Sequence, residues 1–83
     1  MERFTVELLV ANKYGVLNRV TALYAKRGYN IDSLHVNETE DPTVSRMQIT
    51  STGDEYIRTQ TVRQLSKLHD VKEVILMAQI KQK

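Results

Sequence analysis

The sequence predicts an α+β fold in βαββαβ order, a sandwich of one four-stranded antiparallel sheet with two helices on one face. Two kinds of observation predict it. Apolar residues alternate with period 2 in four segments and recur at helical spacing in two others, and turn chemistry separates each segment from the next.

The first strand runs from Arg3 to Ala11, with Phe4, Val6, Leu8 and Val10 on one face and Thr5, Glu7, Leu9 and Ala11 on the other. Asn12, Lys13, Tyr14 and Gly15 then turn the chain. Val16, Val20, Leu23 and Tyr24 follow at the spacing of an amphipathic helix, with Leu17 beside them and Gly28 as the stop. Lys26 and Arg27 lie near its C-terminal end, where positive charge suits the helix dipole.

Tyr29 to Asn37 reads as the second strand. Its apolar parity shifts from Tyr29 and Ile31 to Leu34 and Val36, which predicts a bulge or bend near Asp32 and Ser33. The segment Glu38 to Thr43, with Asp41 and Pro42, is a turn, and Val44 to Ser51 is a third strand with Met47 and Ile49 facing in. Strands two and three form a hairpin. Asp54 offers an N-cap to a second helix that carries Ile57, Thr61, Leu65 and Leu68. From Asp70 to about Ile80 the chain alternates again, with Val74, Leu76, Ala78 and Ile80 on one side and Val71, Ile75 and Met77 on the other, as expected of a strand covered on both faces.

Two crossovers place both helices on one sheet face, the ferredoxin-like arrangement, within a single domain spanning residues 1–83. The other face stays bare. It is expected to expose Leu9, Leu34 and Ile75 and so to favour a side-by-side or face-to-face homodimer, which also suits a chain short enough to bury only about 60% of its unfolded surface.

Composition excludes several classes of function. A net charge of +2, from 12 basic and 10 acidic residues, is too weak for a nucleic-acid or anionic-membrane surface. The third and fourth strands also lack the exposed aromatic residues on which RNA-binding domains of this order stack bases. With no cysteine there is no disulfide framework and no thiolate nucleophile or metal ligand. No apolar run nears the ~20 residues of a membrane span, and a cytoplasmic location is expected.

Catalytic groups are scarce. His35 and His69 have no partner at ligand spacing, and Glu38, Glu40 and Asp41 read as a solvated turn, so neither catalytic nor metal-binding residues are predicted. The strand-to-helix turn from Asn12 to Leu17 is the remaining candidate. Free N–H groups of a first helical turn attract a carboxylate or phosphate, Gly15 permits close backbone approach, and the Asn12 amide can both donate and accept. A plainer reading stays open: Asn12 caps the helix and Gly15 merely turns the chain.

Several segments together carry a resemblance. NKYGVL (Asn12 to Leu17), RGYNIDSL (Arg27 to Leu34), TEDP (Thr39 to Pro42), SRM (Ser45 to Met47) and QLSKLHDV (Gln64 to Val71) resemble, in order, the ACT-domain small regulatory subunits of acetolactate synthase, also called acetohydroxyacid synthase. The resemblance covers about residues 4 to 77. It implies a non-catalytic subunit that activates a large catalytic subunit and mediates feedback inhibition by valine or another branched-chain amino acid. Thiamine diphosphate, Mg²⁺ and FAD are then expected on the catalytic partner, with no cofactor on this chain. An effector-insensitive ACT module that only activates or stabilises its partner is the alternative.

The resemblance also implies a site shared between two chains. Asn12 matches the polar residue facing the effector, and Gly15, Val16 and Leu17 match the backbone that cradles its carboxylate. Asn30 and Ile31 match the partner chain's second strand, which takes the ammonium end, with Leu34 and Val36 near the side-chain pocket. Tyr14 stands where the family often has Pro, and Asn18 where it often has Ser. Many members carry a second C-terminal domain, which the reading of this chain as a single domain leaves out.

Overall fold

The computed structural model describes residues 2–77. Strand β1 (Glu2–Ala11) carries the predicted alternation: Phe4, Val6, Leu8 and Val10 are buried, and the residues between them are half-buried or exposed. Helix α1 (Val16–Arg27) buries Val16, Val20 and Tyr24 and ends at Gly28, whose amide bonds back to the Ala25 carbonyl. The hairpin comprises β2 (Ser33–Glu38) and β3 (Val44–Gly53). After it, α2 (Glu55–Ser66) starts on an Asp54 cap whose carboxylate accepts from the Ile57 amide at 2.9 Å. Strand β4 (Val71–Leu76) completes the order β2-β3-β1-β4, in which every neighbouring pair is antiparallel.

Both helices contribute to one core, in which Val20 and Tyr24 of α1 and Leu65 of α2 meet the inner faces of β1 and β3. Tyr24 packs edge-on against Tyr29 with ring centroids 6.1 Å apart, an arrangement favoured by the ring quadrupoles. Burial pushes the Tyr24 hydroxyl pKa well above the usual phenol range, while the facing Ser51 pulls the other way. Neither hydroxyl completes a well-formed hydrogen bond among the described residues.

Several expectations are corrected. The segment Tyr29 to Asp32 is an extended connector, not the first half of a strand, so the parity shift marks where β2 begins rather than a bulge within it. Tyr29 and Ile31 are apolar because they pack on the core, not because they alternate in a ladder. Leu34 pairs with Ile49, and Val36 with Met47, so both point to the helix-covered side of the sheet, and Leu34 packs against the core.

In β4, a register shift opposite Leu9 and Val10 turns Val71 to the same side as Val74. The strand lies at the sheet edge with Lys72, Glu73 and Ile75 exposed, so it is not covered on both faces. The expected positions of Ala78 and Ile80 fall outside the described residues.

The bare sheet face is consequently more polar than expected. Thr5 and Thr50 share a hydroxyl bond at 2.8 Å, Gln48 donates to Glu7 at 3.0 Å, and Arg46 lies 3.7 Å from Glu7, with Leu9, Ala11, Val44 and Ile75 among the apolar members of the face. This cross-strand ladder suits one part of the face to water, while Leu9, Val44 and Ile75 form an apolar part beside it.

Gly53 fixes how α2 docks. A Cβ at this position would lie 2.7 Å from Ile57 Cγ2 and 2.8 Å from Ile57 Cβ, and the latter is tied to the helix backbone and cannot rotate away. Gly53→Ala is expected to cost about 1–3 kcal/mol through overpacking. Urea unfolding checks this, and an unchanged midpoint would show that α2 is not held so closely.

Candidate functional site

The turn that follows β1 is built by backbone bonds to both neighbouring segments. The Ala11 amide donates to the Asp70 carbonyl at 2.8 Å and the Asn12 amide to the Thr43 carbonyl at 2.8 Å, so the turn is pinned between the hairpin loop and the start of β4. The Asn12 side chain does not cap α1. Its Nδ2 donates to the Pro42 carbonyl at 3.0 Å, which leaves the side-chain oxygen and the second N–H available.

The N-cap position belongs to Gly15, in the left-handed region at φ 86°, and no side chain caps the helix. The Val16 amide reaches the Lys13 carbonyl at 3.3 Å, and among the described residues no acceptor meets the amides of Leu17 and Asn18. A helix start with open N–H groups and no capping side chain is an unfilled place for an anionic group. Tyr14 is fully exposed, and Leu17 is 44% exposed.

Arg19 adds a charge that the sequence reading left out of the site. Its Nε donates to Asp70 Oδ2 at 2.9 Å and its Nη2 to the same oxygen, and its Nη1 would stand 3.2 Å from a Cβ on Gly15. The guanidinium is thus held beside the turn by a carboxylate from the far end of the chain. The i, i+4 spacing of Gly15 and Arg19 was a local hint, whereas nothing in the sequence marked Asp70 as its anchor.

On its other side Asn12 borders an open cleft of about 210 Å³ lined by Glu38, Thr39, Glu40, Asp41, Pro42 and Val44. The Thr43 hydroxyl, at 2.7 Å, and its amide, at 2.9 Å, hold the Asp41 carboxyl below the usual carboxylate range. Asp41 shapes the loop through these bonds. Among the described residues no three His, Cys, Asp or Glu side chains are grouped to hold a metal ion.

Asn30 and Ile31 stand apart from the turn. They lie on the connector beyond the C-terminal end of α1, a 12-residue helix about 18 Å long at 1.5 Å per residue. Asn30 is exposed and Ile31 half-buried against the core. One chain therefore presents Asn12, Gly15, Val16 and Leu17 at one end of α1 and Asn30 and Ile31 at the other, and does not bring the two groups together. Leu34 and Val36 lie on the side of edge strand β2 that faces the helices, and Val36 is 49% exposed.

A family model for the AHAS small subunit-like ACT domain matches residues 6–73, which includes the turn, the connector and the whole of α2. The chain belongs to this family. It is 47% identical over 77 residues to the acetolactate synthase isozyme 3 small subunit of Escherichia coli (strain K12), which covers 93% of this chain and 47% of that protein. A probable acetolactate synthase small subunit of Methanothermobacter thermautotrophicus is 44% identical over 69 residues, covering 83% and 41% respectively.

Among solved structures, the acetolactate synthase small subunit from Thermotoga maritima aligns with a TM-score of 0.88 at 38% identity, over 94% of this chain and 48% of that one. The chain spans about half the length of these relatives. The ACT domain of GTP pyrophosphokinase from Chlorobium tepidum aligns at 0.76 with 16% identity, a likeness of fold alone. No described helix is long and apolar enough to cross a membrane.

Gly15→Ala tests the turn itself. A side chain at φ 86° is strained by roughly 1–2 kcal/mol, and its Cβ would press on Arg19 Nη1. Denaturant unfolding is expected to show a loss of that order, and a variant as stable as the parent would mean that the left-handed conformation is not required.

Proposed function

We propose that this ACT domain is the effector-binding module of a small regulatory subunit of acetolactate synthase. It acts without catalytic residues of its own: it raises the activity of the large catalytic subunit and transmits feedback inhibition by valine or another branched-chain amino acid. Thiamine diphosphate, Mg²⁺ and FAD belong to the catalytic partner in this reading, and the complex works in the cytoplasm in branched-chain amino acid biosynthesis.

The observation that carries the reading is the pair of half-sites of opposite character at the two ends of α1. Open amides at the Gly15 turn favour a carboxylate, and the exposed amide of Asn30 has a carbonyl to accept from an ammonium group. An amino acid zwitterion carries both groups within a few bonds and cannot bridge a helix about 18 Å long. Two chains related by a two-fold axis solve this, because antiparallel α1 helices set one chain's turn beside the other's connector.

The sheet offers the means of pairing. Strand β2 is an edge, α2 packs over β4 at the opposite edge, and the α1 crossover from β1 to β2 spans the intervening β3. Joining two β2 edges would align the α1 helices and cover Val36. Pairing through this edge is the side-by-side form of the expected homodimer.

Inhibition follows by linkage. The effector can inhibit only if it binds one conformation of the assembled synthase better than another. Calorimetric titration with valine, leucine and isoleucine is expected to give saturable heat with at least one of them, and Asn12→Ala is expected to weaken it roughly tenfold, as loss of a hydrogen bond to a charged group does. Mixing with the catalytic subunit is expected to raise synthase activity in a manner the same amino acid reverses. Activation without any effector heat would point to a pure interaction module.

A further inference from the structure

We propose that Asp32 is a positioning residue that aims the carbonyl of Asn30 outward and makes this half-site select an α-amino acid over the corresponding hydroxy acid. The inference rests on the reading of Asn30 as an effector contact. An ionised carboxylate only accepts hydrogen bonds, so only the NH₂ end of the Asn30 amide can face it. Asn30 Nδ2 donates to Asp32 Oδ1, a charge-assisted contact. The amide orientation is therefore fixed by chemistry, and the Asn30 oxygen points away from Asp32, free to accept.

The other Asp32 oxygen is anchored to the sheet. Thr52 on β3 donates its hydroxyl to Oδ2 at 2.6 Å, Arg3 on β1 approaches the same oxygen at 3.8 Å, and the Asp32 amide donates to the Thr50 carbonyl at 2.7 Å. The connector that carries Asn30 has no ladder of its own before Ser33, so this clamp transfers the rigidity of two strands to an exposed side chain. A rigid support of this kind is what an aimed acceptor needs.

The charge works in the same direction. Asp32 places a carboxylate beside the Asn30 half-site, offset in part by Arg3 at 3.8 Å, whereas open amides stand at the turn, where Arg19 and Asp70 balance one another. A zwitterion spanning the two is oriented with its ammonium toward Asn30 and its carboxylate toward the other chain's turn. A hydroxyl in place of the ammonium loses the charged part of that interaction.

The test is the ratio of affinities for valine and 2-hydroxy-3-methylbutanoate, measured by calorimetry on the parent chain and Asp32→Asn. The variant removes the charge and can donate to the Asn30 oxygen, freeing the amide to reverse. The ratio is expected to fall roughly tenfold, mainly through weaker valine binding. A general loss of structure would weaken both ligands alike and leave the ratio unchanged, which overturns the proposal. If Asp32→Asn does not fold, Thr52→Val, at an exposed position, releases the anchor and carries the same comparison with a smaller fall expected. A parent chain that binds neither ligand removes the effector reading and this inference with it. A parent that binds valine alongside a variant with an unaltered ratio removes this inference alone.

Discussion

A helix of 12 residues separates the two polar features of this domain, and that length constrains everything proposed for it. The turn from Asn12 to Leu17 and the connector with Asn30 and Ile31 are opposite ends of one rigid element, packed into the core through Val16, Val20 and Tyr24. A small ligand cannot touch both within one chain. Any site made from these residues is therefore a property of an assembly, and a conformational message carried by the ligand begins at a contact between chains.

Each half is prepared by residues distant in sequence. Asp70 holds Arg19 beside Gly15 across 51 positions, and Thr52 holds Asp32 beside Asn30 across 20. In each half a carboxylate fixes a polar group next to a candidate contact: Asp70 holds the Arg19 guanidinium, and Asp32, itself held by Thr52, holds the Asn30 amide. The polar ladder from Thr5 to Gln48 suits its part of the bare sheet face to water, whereas β2 is an edge strand with an unpaired side.

The parts of the fold that depend on local pattern were legible. Phe4 to Val10 alternate because a half-buried strand requires it, Val16 to Tyr24 recur because one helix face is buried, and Asp54 stands where an orphan amide needs an acceptor. The parts that depend on pairing were not. Tyr29 and Ile31 look like strand residues because contact with the core demands apolar side chains whether or not a ladder forms. The face of Leu34 follows from its pairing with Ile49, and that of Val71 from a register shift against Leu9 and Val10, neither of which leaves a mark in the segment concerned. The candidate site divides the same way. Asn12 and Gly15 were visible as a strand-to-helix turn, whereas Arg19 and Asp32 became part of the description only through their distant anchors.

The claim that the site is split between two chains is tested most directly by complementation. Asn12→Ala and Asn30→Ala each damage a different half, so a homodimer of either variant has no intact site, whereas a dimer of one with the other has one. Valine titration of the two variants refolded together is expected to recover tight binding that neither shows alone, at a fraction of the parent's stoichiometry. A refolded mixture that binds no better than the separate variants would contradict the account.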